Sequence, residues 1–199
     1  MTATNGIWLR LTAAAVSLGF VVFAVARVSS AAFSDTTDNG ANDWHAASVQ
    51  LSDDDSGSVL FASGGSSPTV DSANMVPGTA LTNCIAVTYD GSVDSNVKFY
   101  GTVDAGNNAL APYLNVTVER GTATTASFGT CGDFSATETV FNNTLNNLPG
   151  TFATGGGTWA PTGGSGETVY YRFQVEVADN DTAQDLTAAA TFTWESQTV

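Results

Sequence analysis

Histidine, basic residues and cysteine are all scarce in this chain, and each shortage removes a class of function. His45 is the only histidine among 199 residues, and five Lys plus Arg stand against 19 Asp plus Glu. A Ser-His-Asp machine needs a histidine oriented by a third group. His45, between Trp44 and Ala46 beside the first candidate strand, reads instead as a surface or strand-edge residue. One histidine cannot build a hydrolytic zinc site. Neither GxSxG nor HExxH occurs. The two cysteines, Cys84 and Cys131, form no CxxC, which argues against a cysteine metal site. The expectation is a protein that is not an enzyme.

Acid is also absent from the first 32 residues, while a basic residue, Arg10, precedes an apolar run. The run from Leu11 to Ala26 is 16 residues long and closed by Arg27. As a helix it would reach roughly 24 Å, short of the ~30 Å hydrocarbon core. Ser30-Ala31-Ala32 then fits the small-x-small rule of a signal peptidase, with Phe33 becoming the first residue. Cutting after Ala31 fits nearly as well. Arg27 beside the cut leaves a retained anchor open. A pilin-type leader cut near Gly6 is disfavoured, because no acidic residue follows Gly6 at the start of the run. Residues 1–32 thus read as a cleaved signal peptide, 33–44 as an N-terminal tail and possible donor strand, and 45–199 as one domain.

After such a cut, Lys98, Arg120 and Arg172 are the only basic residues against all 19 acids, a net of −16. That surface repels phosphate backbones, which excludes nucleic acid as a partner. It also disfavours anionic lipid, so contact with membrane is expected only through the signal segment before cleavage. An even cysteine count in an exported chain points to one Cys84–Cys131 disulfide.

Helical periodicity is missing as well. Strand alternation is abundant. Val169, Tyr171, Phe173, Val175 and Val177 alternate with Tyr170, Arg172, Gln174 and Glu176. Leu114, Val116 and Val118 alternate with Asn115, Thr117 and Glu119, and Phe192 and Trp194 with Thr191, Thr193 and Glu195. Ile85, Val87 and Tyr89 line one face, and Val97 and Phe99 begin a further strand. Val49 with Leu51, and Val59 with Phe61, are shorter candidates. Turns at Pro77-Gly78, Asp90-Gly91, Asp104 to Asn108 and Ala178 to Asp181 separate the runs. The fold class is all-β, an antiparallel two-sheet sandwich, jelly-roll-like, with at most one short helix, placed at Val140 to Leu148. The glycines flanking Trp159 read as surface loops.

Asp53-Asp54-Asp55 and the set Asp179, Asp181, Asp185 have the hard oxygen ligands calcium prefers, but not the EF-hand spacing. Polar turns account for both sets, so no cofactor is expected and Ca2+ stays a weak possibility. Aromatics at Trp44, Phe99, Tyr100, Trp159, Tyr170, Tyr171 and Trp194 read mainly as core. Sequons begin at Asn115, Asn142 and Asn180.

Several segments, taken in order, resemble the TasA/camelysin family of exported fibre and surface proteins. They are Ala32-Phe33-Ser34-Asp35-Thr36 at the cleavage seam and Asn42 through Leu51 as a first strand. Met75-Val76-Pro77-Gly78 leads into Cys84 through Ser92, and Tyr171-Arg172-Phe173 leads on to the closing Thr191 through Glu195. The resemblance implies a jelly roll, a dedicated signal peptidase, and assembly in which an N-terminal strand completes a neighbour's sheet. Phe33 would anchor that strand, with Ser34, Asp35 and Thr36, continuing to Asp38, as its paired backbone. The zinc chemistry ascribed to camelysin-type members finds no ligand set here, and the cysteine pair departs from the family pattern. The leading expectation is a secreted homopolymer subunit of a cell-surface or biofilm-matrix fibre, with other matrix or cell-wall components as further partners. The alternative is a monomeric extracellular binding or adhesion module. A hydrolase with an acid pair is the third reading.

Overall fold

The computed structural model describes residues 46–164 and 166–199. The longer alternating segments are strands there, whereas the shorter candidates hold strand only from Leu51 and from Phe61 onward, with Val49 and Val59 outside them. The strands are β1 (Leu51–Asp53), β2 (Phe61–Ala62), β3 (Val70–Asp71), β4 (Leu81–Tyr89), β5 (Ser95–Val103), β6 (Leu114–Thr122), β7 (Ser135–Thr144), β8 (Gly156–Trp159), β9 (Glu167–Val177) and β10 (Ala190–Thr198). A five-stranded antiparallel sheet has the order β1-β4-β9-β6-β7. A three-stranded antiparallel sheet has the order β10-β5-β8. From β4 onward the chain changes sheet at every connection except β6 to β7, the alternation that makes a sandwich jelly-roll-like. The short pair β2–β3 is parallel and lies apart from both sheets.

Alternation decides which residues face inward, because successive side chains of a strand point to opposite faces. Ile85, Val87 and Tyr89 of β4, Leu114, Val116 and Val118 of β6, and Tyr171, Phe173 and Val177 of β9 form one inner face. Val97 and Phe99 of β5 with Trp159 of β8 meet them from the other sheet. The layers are joined by aromatics. Phe173 packs on Phe192 at 4.9 Å and edge-on to Phe99 at 5.7 Å, and Tyr171 lies 5.2 Å from Trp194. Each such pair adds about 0.5–1.5 kcal/mol beyond its area. At the β4–β5 corner the Tyr89 hydroxyl donates to the Val93 carbonyl at 2.6 Å. A Cβ on Gly91 would fall 2.0 Å from that hydroxyl oxygen, so the Asp90-Gly91 turn needs glycine there.

The outer face of the five-stranded sheet is partly covered. The β6–β7 connection, residues 123–134, folds back over β4 and is bonded to it by the Cys84–Cys131 disulfide, with Cα atoms 5.3 Å apart. Arg172 on β9 sits under this loop, 4.8 Å from the Phe134 ring centre, and pairs with Glu119 of β6. Asp133 braces the loop from within by accepting hydrogen bonds from the amides and hydroxyls of Thr124 and Thr125. Those donors hold its carboxyl far below the usual 3.8.

Two sequence expectations are corrected. Val140 to Thr144 belongs to β7, and only Leu145–Asn147 turns, as a single 3-10 turn. The backbone ladder to β6 outweighs the local preference for helix. Gly156 and Gly157 are not loop but the start of β8, where a Cβ on Gly156 would meet the Val140 carbonyl oxygen at 2.1 Å. Glycine lets β7 and β8 pass closely at the sandwich edge.

Candidate functional site

Among the described residues the three-stranded sheet is narrower than its partner and ends at β10. Among the described residues β10 pairs with β5 on one side and has no strand on the other. In an antiparallel strand about half the residues turn both N–H and C=O away from a given neighbour. Among the described residues, the alternate residues of β10 that turn away from β5 therefore have no strand to pair with on that outer edge.

A cleft of about 710 Å³ runs beside the first half of this strand, Ala190 to Trp194. Its floor is the inner face of the larger sheet, with Ile85, Leu114, Val116 and Val175. Phe192 and Trp194 form one wall. Val59, Leu60, Phe61 and Met75, from the long β1–β4 connection, form the other, and Leu186 and Ala188 close one end. The rim carries Asp55, Ser58, Ser63, Asn107 and Thr187. Val59 is 57 % exposed at the mouth. Two polar atoms of the edge strand, Trp194 Nε1 and Ser196 Oγ, are buried without a hydrogen-bond partner among the described residues. An apolar trough beside a strand edge without a neighbour suits an extended segment that pairs through its backbone and seats an apolar anchor side chain.

The far wall is held in place by one buried side chain. Asn83 of β4 is 1 % exposed. Its Nδ2 donates to the carbonyls of Leu60 at 2.7 Å and Pro68 at 3.2 Å. Its Oδ1 accepts from the amides of Cys84 at 2.8 Å and Gly129 at 3.0 Å. One amide side chain thereby ties together β4, the cleft wall and the disulfide-bearing loop.

The acidic cluster at the end of β1 has structural employment. Asp54 accepts from the amides of Ala86 and Phe128 at 2.9 and 2.8 Å, linking β4 to the covering loop. Asp55 accepts from Gly57 and Asp53 from Asp55, turning the chain. Partial burial, then the neighbouring acids, raise the Asp53 carboxyl above 3.8. Among the described residues no group of three or more His, Cys, Asp or Glu is arranged to hold a metal. On the outer face of β10, Tyr100 donates to Glu195 at 2.6 Å, which lowers the Glu195 carboxyl and raises the Tyr100 hydroxyl.

The expected disulfide between Cys84 and Cys131 is present. Of the aromatics, Phe99, Trp159 and Tyr171 are core, Trp194 lines the cleft, and Tyr100 and Tyr170 are half-buried. Ala32, Phe33, Ser34, Asp35, Thr36, Trp44 and His45 lie outside the described residues. Asn83 and the cleft wall escaped the sequence reading. The signal for Asn83 was a lone amide between Leu81 and Ile85 in an otherwise apolar face-setting run. No family model matches this chain, and no curated protein matches it.

Proposed function

We propose that the chain is a secreted structural subunit of a cell-surface or biofilm-matrix fibre, of the TasA/camelysin kind, assembling by N-terminal strand donation. Cleavage after Ala32 frees Phe33, and residues 33–38 of one subunit pair with the β10 edge of the next. The observation that carries this reading is the apolar cleft beside the edge of β10 that has no strand neighbour among the described residues. Six extended residues span roughly 20 Å, comparable to the cleft side of the strand. Burying the Phe33 ring would contribute about 1.5–3 kcal/mol, and the ladder hydrogen bonds fix direction and register. A donor and an acceptor at different places on one subunit make a head-to-tail contact, which propagates as a filament. Before cleavage the signal segment blocks residue 33, so assembly waits for export.

The test is electron microscopy of residues 33–199, with and without calcium, beside the same protein bearing an N-terminal extension. Filaments are expected only with the free Phe33 end. Val59→Asp, at the exposed mouth of the cleft, is expected to leave the circular dichroism unchanged and to abolish filaments. Single particles under every condition would refute self-assembly. They would favour the second reading, a monomeric extracellular module whose cleft, within the ~300–1,000 Å³ of small-molecule sites, takes an apolar ligand.

A further inference from the structure

Three sequons share the chain, but the fold treats them differently. Asn115-Val116-Thr117 lies on β6, between β9 and β7, with both edges of the strand paired. Its middle residue, Val116, is 2 % exposed in the core, and the Thr117 hydroxyl donates to Asn142 at 3.4 Å. Asn142-Asn143-Thr144 lies opposite it on β7, in register with Thr117 through Asn115. Its hydroxyl residue is committed too, since Thr144 Oγ1 donates to Asn146 at 2.6 Å and accepts from Asn147 at 2.8 Å. Asn180-Asp181-Thr182 stands outside both sheets, after the end of β9. All three of its residues are exposed. Asn180 Oδ1 accepts from the Thr182 amide at 2.9 Å and from the Thr182 hydroxyl at 2.6 Å. The amide nitrogen of Asn180 makes no hydrogen bond among the described residues.

We infer that Asn180 is an N-glycosylation site that the folded protein presents ready-made, whereas Asn115 and Asn142 become acceptors only when the sheet is open. An oligosaccharyltransferase must bend the sequon away from its surroundings to reach the asparagine amide. At Asn115 that bend would pull Val116 from the core and break the ladder on two sides. At Asn142 it would peel β7 from β6 and undo the Thr144 network. At Asn180 the turn already exists, and it engages the threonine hydroxyl with the asparagine carbonyl while leaving the nitrogen clear. The co-reactant is a polyprenyl-diphosphate-linked oligosaccharide. The Asn180 nitrogen forms the new bond to the anomeric carbon. The bond from that carbon to the diphosphate oxygen breaks, the polyprenyl diphosphate leaves with the electron pair, and a base of the transferase takes the amide proton.

The inference rests on export, as proposed above, but not on polymerisation. Its test is therefore made on the purified chain, so that a missing glycan and missing filaments are separate outcomes. The full-length protein, folded with its disulfide intact, is incubated with an oligosaccharyltransferase and a polyprenyl-diphosphate oligosaccharide. A second sample is reduced and unfolded first. Site occupancy is read from the masses of the glycopeptides. The folded chain is expected to gain one glycan, at Asn180, with occupancy there about tenfold or more above Asn115 and Asn142, because those need sheet opening. The unfolded chain is expected to be modified at all three. Asn180→Gln is expected to leave the folded chain unmodified, and Thr182→Ser to retain the glycan. Comparable occupancy at all three sites in the folded chain, or no glycan at Asn180 of the folded chain whatever the unfolded sample shows, would overturn the inference.

Discussion

Replacing Asn83 by alanine should unfasten the cleft wall and cost more than its size suggests. The side chain makes four hydrogen bonds at 2.7–3.2 Å in a site 1 % exposed. Asn83→Ala leaves the Pro68 carbonyl without this donor and the Cys84 and Gly129 amides without this acceptor, while the Leu60 carbonyl loses one donor and keeps the Val70 amide at 3.0 Å. The Gly129 amide keeps a weaker alternative in the Cys84 carbonyl at 3.2 Å. An orphaned buried polar group costs about 1–3 kcal/mol, and neighbouring losses are not additive. A total of about 3–5 kcal/mol is the expected loss, a large share of the ~5–15 kcal/mol a domain possesses. Urea unfolding with the disulfide intact measures it, and hydrogen exchange locates it. Residues 58–70 should lose protection first, while β9 keeps its own. Asn83→Asp keeps the volume but turns a carboxylate oxygen toward two carbonyls, and should be at least as damaging at neutral pH. A loss below ~1 kcal/mol for Asn83→Ala, or unchanged exchange over 58–70, would refute the view that this amide positions the wall.

Cys131→Ser should lower stability by about 4 kcal/mol in the chain-entropy account of a bridge separated by 47 residues, seen as a lower melting temperature that reductant no longer changes. Asp133 has a folded-state carboxyl depressed below 3.8, so its contribution to holding residues 123–134 is present above that pH and is lost as pH falls through the folded value. Proteolysis of that loop should stay slow at pH 4 and quicken only in stronger acid. In the Thr124→Ala, Thr125→Ala double variant, which loses the hydroxyl donors but keeps the backbone amides, it should quicken at a higher pH than in the unmodified chain, though still below 3.8.

What the sequence disclosed and what it hid follow one physical line. Strands whose one face is buried announce themselves, because burial forces a period of two. β9 and β6 are such cases, and Leu81–Tyr89 falls where its flanking turns put it. Edge strands need no such pattern. β7 reads Ser135 to Thr144 with hydroxyls and amides on both faces, and β8 opens with glycines, because backbone pairing and close passage hold them. The cleft was hidden for another reason. Its wall comes from the Ser- and Gly-rich stretch before β4, which carries two residues each of β2 and β3 and is positioned by Asn83. Nothing local in that stretch specifies where it docks. Burial of Asn83 depends on a loop some 45 residues later in the chain folding across it, a contact visible only in three dimensions.

Charge decides what sort of contact can join two subunits. Arg120 pairs with Glu138 at 2.9 Å, Arg172 pairs with Glu119, and Lys98 donates to the Gly157 carbonyl at 2.5 Å. Every basic side chain that would remain after cleavage therefore already has a partner within its own subunit. The proposed donor segment carries Asp35 and Asp38, and the cleft rim carries Asp55. A subunit contact must then rest on backbone hydrogen bonds and apolar burial, with like charges opposing it. Salt screens exposed charges beyond ~10 Å at 0.1 M without weakening apolar burial. Raising the salt from ~0.01 to ~0.5 M should accordingly speed filament growth and lower the concentration needed for it, with sodium chloride sufficing. Light scattering with microscopy of the same samples measures both. Filaments that dissolve as sodium chloride rises would mean that ion pairs hold the subunits, and strand donation into this cleft would no longer explain the assembly.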